Sequence, residues 1–270
     1  MKFLAITLIV HNDKRSHTER FREVVDNAVL SHIAAKTSRI RLFTAVTTLS
    51  LLDPVRAFED YALWREDKVT WAGRFRPALT EAETWPRPLQ RSIRVWHGSA
   101  TSKESVDLAA YYGDPLFSAN VTNPIEPYAD LIDHYRKQWV RYGHDPADAL
   151  VGAGTAGYYA ARTSQEAIET YRPIFDARLA LFAKLGIEPV FATLEDAIER
   201  SSILVGSPQQ IIDKVLRYHQ RFGHEVMHLH ADADGLTTKQ HRDALELFQA
   251  EIAPVLRQEI PSRPFPGGAA

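Results

Sequence analysis

Short apolar runs alternate along this chain with longer segments whose apolar residues recur every three or four positions. That alternation restricts the fold to a parallel α/β architecture. Residues 3–10 (FLAITLIV) read as a buried strand, and Phe21, Val24, Val25, Ala28 and Val29 mark the helix behind it. Residues 40–47 read as the next strand, after which Asp53-Pro54 supplies an N-cap and a first-turn proline for a helix reaching about Leu63. Further strands are expected at 93–97, 115–119, 150–160 and 226–230. The helices between them are punctuated. One runs from about Ser102 to Tyr112, and the next is capped by Asn123-Pro124 and aligns Tyr128, Leu131, Ile132, Tyr135 and Trp139 on one face. Thr163 and Glu166 make a capping box for a helix towards Leu185. Ser207-Pro208 opens a helix bearing Ile211, Val215, Tyr218 and Phe222, and Gly223 ends it. Leu245, Phe248 and Ile252 mark the last helix. No repeat and no Pro/Gly-rich linker divides the chain, so residues 1–260 are expected to form one domain, a (β/α) barrel in preference to a doubly wound sheet. Residues 261–270, with three prolines and two glycines, read as a flexible tail.

Composition removes several functions. At 270 residues and 45% hydrophobic, the chain can bury a full core without covalent staples. Its 32 Lys and Arg nearly balance 34 Asp and Glu, which leaves no positive excess for nucleic acid. The absence of cysteine excludes disulfides, thiolate metal sites and a cysteine nucleophile. The apolar run at 3–10 is too short to span a bilayer and leads into His11-Asn12-Asp13-Lys14-Arg15 with no cleavage site, so a cytoplasmic protein without membrane insertion is expected.

Three stretches invite chemistry. Gly152-Ala153-Gly154-Thr155-Ala156-Gly157 matches the G-x-G-x-x-G dinucleotide pattern, but that mechanism needs a helix to begin within the glycines. Here Tyr158, Tyr159 and Ala160 continue as strand, so the match is rejected in favour of a crowded, glycine-rich strand. His97-Gly98-Ser99-Ala100-Thr101-Ser102 leaves a strand and enters a helix through three hydroxyl residues, which suits either a bound phosphate or plain N-capping. In the last strand His228, His230, Asp232 and Asp234 alternate with Met227, Leu229, Ala231 and Ala233, so the histidines are expected inside the barrel and the apolar set beneath the helices. No second histidine and carboxylate set stands out, and no metal is expected.

The run Ser38-Arg39-Ile40-Arg41-Leu42-Phe43-Thr44-Ala45-Val46, followed by Leu51-Leu52-Asp53-Pro54-Val55-Arg56, resembles the bacterial-luciferase-like flavin monooxygenases. The Gly98 to Ser102 turn, Val205-Gly206-Ser207-Pro208, and a final strand leading to Gly235-Leu236 and Leu245-Glu246-Leu247-Phe248 follow in the family's order. The resemblance implies a TIM-type (β/α) barrel using reduced FMN, or F420 in some branches, usually as a homodimer. It implies O2 and a small organic substrate as reactants, with a separate NAD(P)H:flavin reductase as partner. By position Thr44, Ala45 and Val46 would lie along the flavin ring, and His97, Gly98, Ser99, Ala100, Thr101 and Ser102 would form the segment that holds its phosphate. His11, His228 and His230 are the candidates for catalysis. Only six of the eight barrel strands are found, because the helix patterns run straight on at Leu30/Ser31 and at Leu63/Trp64, where the family has two more. An F420-dependent hydride-transfer enzyme is the alternative, as is a non-catalytic flavin-binding barrel if those segments are absent.

Overall fold

The computed structural model describes residues 1–6, 66–72, 77–83, 95–120, 123–230 and 235–262. The chain divides into two compact units, Met1–Leu8 with Trp96–Ala270, and Ile9–Val95. In the second unit the described residues form an antiparallel hairpin of β2 (Val69–Trp71) and β3 (Leu79–Ala82), which the sequence reading did not anticipate. The expected strand at 40–47, both early helices and the junctions at Leu30/Ser31 and Leu63/Trp64 lie outside the described residues.

The first unit is the α/β body. Its sheet contains β1 (Lys2–Ile6), β4 (His97–Ser99), β5 (Leu116–Ser118), β6 (Val151–Ala153) and β9 (Val226–His230), in the spatial order β1-β9-β6-β5-β4, every pair parallel. The first and last strands of the chain are therefore neighbours. A separate parallel pair joins β7 (Tyr158–Ala160) to β8 (Leu204–Gly206). Among the described residues the strands form these open sheets rather than a closed barrel.

Cap chemistry explains where the helices begin and end. In α1 (Lys103–Tyr112) the Ser102 hydroxyl accepts from the Ser105 N–H at 3.1 Å, and Gly113, at φ 69°, returns its N–H to the last turn. In α2 (Ile125–Arg141) all five expected apolar residues are buried, but the N-cap is Pro124 and not Asn123. Asn123 is drawn instead to the Tyr128 hydroxyl, to which its backbone N–H and Nδ2 both donate. α3 (Ser164–Lys184) starts at Thr163, whose hydroxyl accepts from the Glu166 N–H; α4 (Leu194–Arg200) follows. α5 (Pro208–Phe222) has a complete capping box between Ser207 and Gln210, and Gly223 ends it in the left-handed conformation at φ 57°. The final helical segment is α6 (Thr238–Leu247), a π-helical turn (Phe248–Ile252) and α7 (Ala253–Glu259).

Two apolar clusters fill the unit. One packs α1 and α2 on β5 and β6 through Val106, Leu116, Tyr128, Ile132, Tyr135 and Val151. The other joins α3, α5 and α7 to β7, β8 and β9 through Tyr171, Leu204, Val215, Met227, Leu229 and Leu256. At about 1.5 to 3 kcal/mol for each large apolar side chain removed from water, these clusters dominate the stability of the unit.

The expected single strand at 150–160 is broken into β6 and β7, which join different sheets. Its glycines are packing residues. A Cβ at Gly152 would meet the Phe117 ring at 2.6 Å, and one at Gly157 would overlap the Tyr171 hydroxyl of α3. No helix starts within them, in keeping with rejection of the dinucleotide pattern. No helix among the described residues is long and apolar enough to cross a membrane.

Candidate active site

Because β4, β5, β6 and β9 are parallel, their C-terminal ends share one edge of the sheet, which is where parallel α/β folds gather their chemistry. The register Ser99↔Ser118↔Ala153↔Met227 sets these ends level. The residues just beyond that row, namely the turn at 100–102, Asn120, Gly154-Thr155 and His228, are therefore brought to neighbouring positions.

The turn after β4 closes on itself. The buried Ser99 hydroxyl donates to the Ser102 carbonyl at 3.0 Å, while the Ser102 hydroxyl both caps α1 and donates to the Glu104 carboxylate at 3.0 Å. The helix-start N–H and this hydroxyl hold the Glu104 carboxyl below its usual pKa. Ala100 and Thr101 are exposed, and the Cβ position of Gly98 has open space around it. His97 does not join them. Its Nε2 lies 3.0 Å from an Asp114 carboxylate oxygen, at the chain segment leading into β5.

One strand over, the polar groups are arranged differently. The Asn120 side chain is fully buried, its Oδ1 accepts from the Gly154 N–H at 2.6 Å, and its backbone carbonyl accepts from the Ser202 hydroxyl. An N–H can only face the oxygen of a carboxamide, so this bond fixes which way the amide points. Nδ2 is thereby turned away from Gly154, and no described residue accepts its protons. A buried amide nitrogen without an acceptor costs about 1 to 3 kcal/mol, and native proteins keep few of them. The Thr155 N–H donates to His228 Nδ1 at 3.4 Å, which leaves Nε2 as the proton-bearing nitrogen of the neutral ring. Met227 and Leu229 pack with helix residues of the second cluster, so His228 faces the opposite side of the strand. His230 ends the strand in register with Ile6.

The turn carrying Ser202 is braced from α5. Lys214 Nζ donates to the carbonyls of Ile198 and Ile203, the latter at 2.7 Å, and the Tyr218 hydroxyl donates to the Ser201 carbonyl. Burial, with Arg217 nearby, lowers the Lys214 ammonium to about 7.

Of the residues expected from sequence, Ser99, Ala100, Thr101, Ser102 and His228 thus sit at the strand ends, and His97 is held by Asp114. His11, Thr44, Ala45 and Val46 lie outside the described residues. Asn120 and Ser202 were missed. The one local signal for Asn120 is a polar residue directly after an apolar strand, a position that a turn residue fills just as well.

Polar groups collected at the C-terminal edge of a parallel sheet define an α/β protein of the enzyme-bearing kind. The sequence profile of the luciferase-like monooxygenases matches residues 14–63 and 61–225, and the chain belongs to that family, whose oxidoreductases use flavin-type cofactors. The two matched stretches meet beside the Leu63/Trp64 junction. Among solved structures, monooxygenase RslO1 from Streptomyces bottropensis is similar at a TM-score of 0.62 and 22% identity, over 74% of this chain and 59% of that one. The oxygenating constituent of 3,6-diketocamphane monooxygenase from Pseudomonas putida, in complex with FMN, is similar at 0.55 and 20% identity, over 74% and 62%. The coenzyme F420 dependent tetrahydromethanopterin reductase from Methanopyrus kandleri is similar at 0.54 and 18% identity, over 74% and 62%. These likenesses establish the shared fold, and the chain spans about three fifths of the length of each of these structures. No curated protein sequence matches the chain.

Proposed function

We propose that this chain is an FMN-dependent luciferase-like monooxygenase, oxidising a small organic substrate with O2 while a separate reductase supplies reduced flavin. The observation that carries the reading is the buried Asn120 Nδ2, an oriented donor with no acceptor among the described residues, at the edge of the sheet where the fold holds ligands. Such a donor fits a ring carbonyl of a flavin-type cofactor, and the open space at Gly98 fits a group lying against the turn. Reduced flavin, when bound, supplies the electrons for oxygen activation.

In this reading Asn120 orients the ring, and the Gly98 to Ser102 turn receives the phosphate through Thr101 and backbone N–H groups. Glu104 must then release Ser102, because two negative groups compete for one helix start. His228 presents Nε2–H as a proton donor, with His230 and His11 as further acid/base candidates. The fold is taken as the family's TIM-type barrel with the family segments expected at Leu30/Ser31 and Leu63/Trp64 missing, and the protein as a cytoplasmic homodimer.

F420-dependent hydride transfer is the second reading, favoured by the nearly equal likeness to the F420-dependent reductase. Anaerobic titration of the purified protein with FMN, reduced FMN and F420, followed by oxygen uptake with a flavin reductase present, separates the possibilities. Tight reduced-FMN binding with substrate-dependent oxygen uptake supports the monooxygenase. F420 binding alone supports hydride transfer, and flavin binding with no turnover of any substrate supports a non-catalytic barrel. Binding of none of the three overturns the flavin reading.

A further inference from the structure

A cavity of about 170 Å³ opens between α3, the segment after it and α4, and the flavin reading makes no use of it. Its walls include Phe175, Phe182, Phe191 and Ile203, and its floor includes Ala156, just beyond the end of β6. Ile187 and Val190 in its lining are about half exposed, an unusual amount of bare apolar surface for one short segment. The volume is close to that of a protein cavity known to hold benzene.

One cation lines this apolar space. Arg178 is half-buried and held in place, its Nη1 donating to the Ala156 carbonyl at 3.2 Å and its guanidinium lying 5.4 Å from the centre of the Phe175 ring. Other arginines of the unit have carboxylate partners: Arg172 pairs with Glu195, Arg200 with Asp196 and Arg162 with Glu251. Among the described residues Arg178 pairs with no carboxylate. A guanidinium makes five N–H donors in a planar fork that matches a carboxylate, and the bond to Ala156 accounts for one nitrogen only. Glu188 is the acidic residue in the lining, but it sits on the exposed segment after α3 and lacks the anchoring that Arg178 has. Apolar walls with a few oriented polar groups, here Arg178 and the buried Ser201, are the usual make-up of a small-molecule site.

We infer that this cavity is a binding site for a small carboxylate with an apolar body, about the size of benzoate, whose head group pairs with Arg178. The cavity borders the turn that carries Ser202, but the inference does not depend on the flavin reading. The test is a ¹H–¹⁵N NMR titration of the full chain with benzoate, and with benzyl alcohol as its neutral counterpart. Shifts should cluster at Ala156, along 175–182 and at 187–191, with benzoate binding at least tenfold tighter, as expected for a charge-assisted hydrogen bond. Arg178→Met should abolish that preference while benzyl alcohol still binds, and Arg178→Lys, which keeps the charge but loses the fork, should fall between. Equal affinity of the wild-type chain for the two probes would overturn the inference without recourse to any variant. So would shifts elsewhere, a preference that survives Arg178→Met, or tighter binding of benzylamine, which would assign the site to Glu188.

Discussion

The turn after β4 and the strand ends beside it are both rich in polar side chains, yet they stand in opposite states. In the turn, Ser99, Ser102 and Glu104 satisfy one another and the first turn of α1. At the ends of β5 and β6, the Asn120 oxygen is fixed by Gly154 and its nitrogen is left over. Hydroxyl residues at a helix start have local acceptors and donors within reach, so they can satisfy themselves without a ligand. A carboxamide bridging two strands has both ends oriented by a long-range contact, and here one end meets no acceptor among the described residues. The difference teaches that a ligand site is marked by the donor the fold fails to satisfy, more than by the density of donors.

The largest expected effect probes the brace behind the strand ends. Burial lowers the Lys214 ammonium from its ordinary 10.5 to about 7, so between those values the unfolded chain binds more protons and stability rises with pH. Below about pH 7 both states are charged and the full burial penalty applies. The unfolding free energy from urea denaturation should therefore climb by a few kcal/mol from about pH 6.5 to about pH 9.5, and Lys214→Met should flatten that climb. A flat wild-type profile over this window would remove the titrating brace from the account.

The same substitution made in both regions sharpens the contrast. Gly157→Ala overlaps the buried Tyr171 hydroxyl and should lower stability by about 1 to 3 kcal/mol, whereas Gly98→Ala meets open space and should stay within about 0.5 kcal/mol. Equal effects in thermal denaturation would mean that the two regions are equally crowded. Next comes Ser102→Ala, which removes the cap of α1 and should cost about 1 kcal/mol. Thr101→Ala should be nearly silent in stability, within about 0.5 kcal/mol, and should act only through phosphate affinity. An FMN titration that shows no change in Thr101→Ala would remove the Thr101 hydroxyl from the phosphate site.

How far the sequence could be read followed the range of the forces involved. The buried faces of α2 and α5 and the caps at Thr163 and Ser207 depend on residues three or four apart, and they were legible. β8 was missed because Leu204, Val205 and Gly206 are buried throughout and show no alternation. The break at 154–157 depends on Tyr171, which α3 brings back against Gly157, and nothing within the run announces it. Asn120 was missed for the same reason: its partners, Gly154 and Ser202, lie 34 and 82 residues away. The turn at 98–102 was seen, but sequence could not divide its hydroxyls between capping and phosphate, since both uses require the same residues.

The central claim is that the strand ends, through Asn120, hold the ring of a flavin-type cofactor. Asn120→Asp tests it directly, because the new carboxylate still accepts from the Gly154 N–H while the leftover donor is lost. The measurement is the FMN dissociation constant by flavin fluorescence quenching, at about pH 8, with circular dichroism to verify the fold. At least tenfold weaker binding than wild type is predicted, with the fold unchanged, since a carboxylate oxygen facing the ring carbonyl leaves buried polar atoms unsatisfied, at a cost of about 1 to 3 kcal/mol. A wild-type chain that binds FMN, together with an Asn120→Asp variant that binds it equally well, would contradict the claim.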